Sequence, residues 1–159
     1  MINDDFEKNY NALIYSSNSS IFILNQTNFT NNSLNGLNMA MIESLEFYII
    51  DCYFSGNNIL NNYFFTLFVQ QLTIINFIVQ NNFLESGVFI CNNEDRQYEF
   101  LSIFIKHSIF LNNSGNDFLL SVRSDQIIFE NMIISRNLFF GTLVKVINSQ
   151  SLESLNVNF

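Results

Sequence analysis

The chain has 159 residues, 48% of them hydrophobic and 13% charged, which gives enough apolar surface for a buried core and excludes a charge-rich disordered tail. Six Lys and Arg stand against fourteen Asp and Glu, for a formal net charge of −8. The basic residues are scattered singly, so the chain offers no basic stripe for a nucleic-acid backbone or an anionic membrane surface.

The opening, Met1-Ile2-Asn3-Asp4-Asp5, is acidic and polar. It lacks the basic start and apolar run of a secretory signal. Phe6, followed three residues later by Asn9, begins a pattern that then recurs. Phe29, Phe54, Val79, Phe110, Ile134 and Phe159 are its anchors, at spacings of 25, 25, 31, 24 and 25. Asn stands three places after each anchor that has a successor: Asn32, Asn57, Asn82, Asn113 and Asn137. Further columns share this register. Phe22, Phe47, Leu72, Ile103, Ile127 and Leu152 lie seven before the anchor, and Leu24, Ile49, Ile74, Ile105, Phe129 and Ser154 five before it. A polar column, Gln26, Asp51, Asn76, His107, Asn131 and Asn156, lies three before. Met39, Phe64, Phe89, Leu120 and Val144 lie ten after, and Met41, Thr66, Cys91, Val122 and Val146 twelve after. Asn enrichment alone produces one such column, not five apolar ones in step.

Apolar pairs at i and i+2 indicate short strands with one face inward. The Asn columns fall where corners are needed, since Asn tolerates left-handed backbone. Cys52 and Cys91 sit at apolar positions and read as buried free thiols rather than a disulfide framework. The most apolar stretch, Tyr63 to Val79, is broken by Thr66, Gln70, Gln71, Thr73 and Asn76. It reads as two buried strands joined at Gln70-Gln71 rather than a membrane helix. One unit cannot bury its apolar face alone, so stacked units with parallel pairing are required. The sequence therefore predicts an all-β, right-handed parallel β-helix solenoid of five to six coils over residues 1–159. Its anchors should stack internally and its Asn column should form an amide ladder. The pattern opens on a partial copy and stops within a motif, so the expectation is a piece of a longer solenoid, or ends that meet a partner.

Leu143-Val144-Lys145-Val146, the polar Asn148-Ser149-Gln150-Ser151, Leu152, Asn156 and Phe159 resemble the repeat of the pectin-lyase-like right-handed β-helices. So do Ile49, Asp51, Phe54 and Asn57. Asn/Ile/Phe-rich versions are similar to β-helix segments of large surface membrane proteins of single-celled eukaryotes, which implies membrane association on the extracellular side. The resemblance implies the fold more than an activity, because that fold carries lyases, hydrolases, adhesins and passive surface domains. A leucine-rich repeat is the competing architecture, with Ile49, Cys52, Phe54, Asn57 and Ile59 as its core. Strand-like runs such as Val88-Phe89-Ile90 oppose it.

The one break in period follows Cys91, where six extra residues fall within Asn92 to Glu99 and should form a protruding loop. Within this loop Glu94, Asp95, Arg96 and Glu99 are the candidate ligand-binding residues, carboxylate oxygens being suited to hard cations. His107, the single histidine, reads as a corner residue. No catalytic constellation, metal-spaced cluster or phosphate loop is legible, and no cofactor is implied. Five N-x-S/T sequons begin at Asn18, Asn25, Asn28, Asn31 and Asn112. The function expected is a non-enzymatic structural or surface-interaction domain. Its expected partners are carbohydrate, another surface protein or neighbouring coils. The alternative is a carbohydrate-active (lyase- or hydrolase-like) or carbohydrate-binding β-helix.

Overall fold

The computed structural model describes residues 5–7, 14–36, 40–91, 102–147 and 151–159. They form a parallel β-solenoid of about five turns, without a helix among the described residues. A typical coil runs through one long strand, Ala40–Ile50, and two short ones, Tyr53–Ser55 and Asn58–Leu60. Each pairs in parallel with its counterpart one coil on: Phe65–Ile75, Ile78–Gln80 and Phe83–Leu84. The last short strand of each coil builds a separate five-stranded sheet. The leucine-rich alternative, which needs mixed helix and strand, does not describe this chain.

The long strand is two faces joined at a bend. Within Phe65–Ile75 burial alternates, but Gln70 and Gln71 both point outward between buried Val69 and Leu72. Leu45 and Glu46 do the same in Ala40–Ile50. Buried Ser44 and Ser124 secure this bend, donating Oγ–H to the carbonyls of Glu46 (2.9 Å) and Gln126 (3.0 Å).

The next two corners are each made by one residue in left-handed backbone. Gln26, Asp51, Asn76, His107, Asn131 and Asn156 have φ between 51° and 54°. The residue after each of the first five, Thr27, Cys52, Phe77, Ser108 and Met132, is buried. Its polar members donate a hydrogen bond to the carbonyl two residues back: Thr27 to Asn25, Cys52 to Ile50 and Ser108 to Lys106. Burial pushes the Cys52 thiol pKa up, and the thiol is free. The second corner uses Asn31, Gly56, Asn81, Asn112 and Arg136, again with positive φ. Asn suits these sites because its short polar side chain lowers the left-handed penalty.

The core follows the anchor register. Phe6 pairs with Phe29, Phe29 with Phe54, Phe54 with Val79, Val79 with Phe110, and Phe110 with Ile134. Phe29 and Phe54 meet edge to face at 4.5 Å between centroids, the geometry aromatic quadrupoles favour. Where Val79 is too short to continue the stack, Phe77 reaches both Phe54 (4.6 Å) and Phe110 (6.0 Å). Phe159 does not join the stack; it is 78% exposed.

Two columns differ from the sequence alignment. Phe89 pairs with Phe65, and Phe65 with Ala40, not with the residues one earlier. Likewise Cys91 pairs with Leu67, and Leu67 with Ile42, so half-buried Met41 and Thr66 face outward. The third corner is the cause. It runs over residues 61–64 in one coil but only 86–88 in the next, where Gly87 adopts φ +108°. The surplus residue, Phe64, is buried in the corner and stacks on Phe54 at 4.4 Å.

Candidate functional site

The candidate loop residues Glu94, Asp95, Arg96 and Glu99 lie outside the described residues, as does Tyr98. His107 lies exposed at the first left-handed corner. Glu130, on the rung beside it, accepts an ion pair from Lys106 at 2.7 Å. The Lys106 hydrogen bond and charge, with a smaller contribution from His107, hold the Glu130 carboxyl below its usual range. Asn31 and Asn112, which begin two of the sequons, are exposed, whereas Asn25 and Asn28 are half-buried on outward columns.

Asn32, Asn57, Asn82, Asn113 and Asn137 come together in one line, buried along its first four members and half-buried at Asn137. They are not themselves left-handed; each follows the left-handed residue and turns inward. Asn32, Asn57, Asn82 and Asn113 are 1–2% exposed. Each donates Nδ2–H to the next Oδ1 at 2.9 Å. The same Oδ1 accepts the preceding Asn's backbone N–H at 2.9–3.1 Å. The second Nδ2–H of Asn57, Asn82, Asn113 and Asn137 reaches back to the carbonyls of Phe29, Phe54, Val79 and Phe110. An interior ladder amide thus fills both donors and both acceptor positions of its side chain.

Among the described residues, no three His, Cys, Asp or Glu side chains converge as a metal site. No helix there is long and apolar enough to cross a membrane.

The third corner holds a feature that repeat counting misses: a cleft of about 530 Å³ lined by Asn116, Asp117, Phe118, Phe140, Gly141, Thr142 and Lys145. Its two walls are equivalent corners of neighbouring coils. Gly141 N–H donates to the Asn116 carbonyl at 3.1 Å, and Thr142 N–H to that of Asp117 at 3.0 Å. Behind them, Asn116 N–H and Asp117 N–H both donate to the Glu85 carbonyl. The Glu85 carboxylate accepts from Asn61 N–H (2.6 Å) and Asn116 Nδ2–H (3.3 Å). Glycines make the close approach possible. A Cβ on Gly87 would run into the Phe118 carbonyl and ring, and one on Gly141 into the Asp117 carbonyl. With Gly87 bare, Phe118 stacks on Tyr63 at 5.8 Å and 18°. Burial, and then the Asp117 charge, raise the Tyr63 pKa. Phe140 is 88% exposed. Asp117 and Lys145 each lack an ion-pair partner among the described residues. The lining combines one exposed aromatic ring with one acidic and one basic side chain. Sequence reasoning passed over it because its walls come from residues a coil apart. The clustered glycines Gly87, Gly115 and Gly141 were the available signal.

No protein family, curated protein or solved structure matches the chain.

Proposed function

We propose that this chain is a non-enzymatic β-solenoid whose role is to hold a rigid surface for interaction with other molecules. The buried amide ladder carries the reading. From Asn32 to Asn137 the inward polar groups bind one another, rung after rung, so they serve the stack rather than a substrate. What varies from coil to coil is the set of exposed corner residues, such as Asp51, Asn76 and His107. The pectin-lyase-like resemblance belongs with this reading as a likeness of scaffold, supported by parallel coils about 25 residues apart. A polysaccharide depolymerisation assay tests it. Acidic and neutral polysaccharides should keep their length after long incubation with the protein. Shortening that disappears when Glu94 and Asp95 are changed to Ala overturns the reading.

A further inference from the structure

We propose that Asn35–Gly36, where strand Ser33–Asn35 enters the third corner, is a site of spontaneous covalent modification. There the Asn35 amide converts, through a cyclic imide, to aspartate and isoaspartate. This goes beyond the scaffold reading and does not depend on it.

The reaction needs only water. The Gly36 nitrogen adds to Asn35 Cγ and the Cγ–Nδ2 bond breaks. Ammonia leaves, carrying the Gly36 amide proton, and the imide remains. Water then opens the ring at either carbonyl. One opening leaves Asp in place of Asn. The other routes the main chain through the side-chain carbon as isoaspartate. Nothing is oxidised or reduced, and the chain, at −8, gains one negative charge.

Asn is among the thermolabile side chains, and this corner exposes one to attack. Asn35–Gly36 is the single Asn-Gly pair in the sequence, and glycine sets no side chain beside the attacking nitrogen. The space around it is open. A Cβ on Gly36 would meet nothing within 4 Å, whereas one on Gly87 or Gly141 would strike backbone. Asn35 and Gly36 are both exposed, so water reaches the ring. Asn35 Oδ1 accepts Asn61 Nδ2–H at 2.8 Å, which draws electron density from Cγ. One bond opposes the attack, Gly36 N–H to the Leu60 carbonyl at 2.9 Å. It sits at an exposed strand end, where local opening costs least.

The amide ladder is the internal contrast. Asn113 also precedes a small residue, Ser114. Its Nδ2 donates to the Val79 carbonyl and Asn137 Oδ1, and its Oδ1 accepts twice from Asn82. Ser114 N–H is bound to the Asn82 carbonyl. These buried bonds must break before the Ser114 nitrogen reaches Asn113 Cγ.

The third corner also accommodates the product. Isoaspartate lengthens the main chain by one carbon. In the following coils this corner changes length, from residues 61–64 to 86–88, with the strands on either side still paired.

The test is long incubation of the 159-residue chain at mildly alkaline pH, which favours the deprotonated attacking amide. Peptide mass mapping and enzymatic methylation of isoaspartyl carboxyls then locate the product. The urea-unfolded chain gives each site's intrinsic rate. N35Q is the control, because Gln must close a larger ring and the position is exposed. Folding should slow conversion at Asn35 by about tenfold or less. At Asn113 it should slow conversion by about a hundredfold or more, since several buried bonds must open. The isoaspartyl label should vanish from this peptide in N35Q, and the converted chain should keep its strand signal in circular dichroism. An Asn35 amide that survives in the folded chain, or is protected as strongly as Asn113, overturns the site. Loss of the strand signal on conversion overturns the accommodation at the corner.

Discussion

Removing Asn82 from the middle of the ladder is the sharpest test of what holds the coils together. In N82A, Asn57 loses the acceptor of its backbone N–H and of one Nδ2–H, formerly at 2.9 Å each. Both donors are buried with Asn57, which is 1% exposed. Leaving a buried donor unmade costs about 1–3 kcal/mol, so the two together cost roughly 2–6 kcal/mol before any cavity. N112G is the control. Asn112 is exposed, has φ 53° and makes only a 3.3 Å side-chain bond to Asn81. Glycine keeps that backbone, so the expected change is within about 0.5 kcal/mol. Urea unfolding followed by circular dichroism measures both. N82D adds a pH signature. Its second oxygen replaces an amide donor and faces Asn113 Oδ1 and the Phe54 carbonyl, which are acceptors. Burial and this opposition raise the introduced carboxyl's folded pKa above the ordinary value of about 3.9. Protonation therefore favours the fold. The deficit of N82D relative to the native chain is smallest at low pH and grows as pH rises through the raised pKa. Equal stabilities for N82A and N112G, or an N82D deficit flat between about pH 4 and 8, would refute the reasoning.

At the first corner, Asn76 has φ 53° and donates to Asp51 Oδ1 at 2.8 Å in the open. N76G should be nearly neutral and N76V should cost about 1–2 kcal/mol from the left-handed penalty on a bulkier side chain, read by thermal unfolding. A Cβ on Gly115 would strike the Leu84 carbonyl and the Phe139 ring, so G115A should lose about 1–3 kcal/mol by overpacking in urea titration. K106M removes the main cause of the low Glu130 pKa, and carbon-13 NMR of the carboxyl should show its titration midpoint move up toward ordinary glutamate. Because that pKa is depressed in the native chain, the pair's contribution is present above the unfolded pKa and lost as pH falls through the folded one. The native-minus-K106M difference should accordingly shrink on acidification.

Much of the fold is legible because a period of two tolerates no slippage. A one-residue shift would turn Phe47, Ile49 and Phe54 out to solvent, and all three are fully buried. The two roles of Asn are not legible in the same way. Asn76 is exposed and left-handed, whereas Asn82 is buried, follows left-handed Asn81 and spends every side-chain hydrogen bond inside. Spacing puts them in two columns, three before and three after the anchor, and reads both as corner residues. Only the direction of the side chain separates them, and the preceding backbone angle sets that direction. The cleft is less legible still, since Asp117 and Gly141 become neighbours only once their coils are stacked.

The corners themselves sort into fixed and variable kinds, for a physical reason. The two left-handed corners place a buried residue immediately after the turn: Cys52 after Asp51, Asn57 after Gly56. One added residue there would rotate that side chain out and orphan its bonds. The bend and the third corner vary in length, although the third also uses left-handed residues, Gly36, Asn61 and Gly87. Between Phe89–Cys91 and Ser102–Lys106 the chain takes up its insertion, yet Cys91 still pairs with Leu67 and Ser102 with Gln71. Loop closure grows only logarithmically with length, so the flanking columns keep the register while the loop extends. The third corner loses a residue between the coils of Tyr63 and Gly87, again with both neighbouring strands in place. Length changes, and with them new surface chemistry, therefore collect at these two sites. The candidate loop lies at the first, while the amide ladder keeps the rest of each coil constant; the aromatic cleft lies at the third corner of two coils that have the same length there.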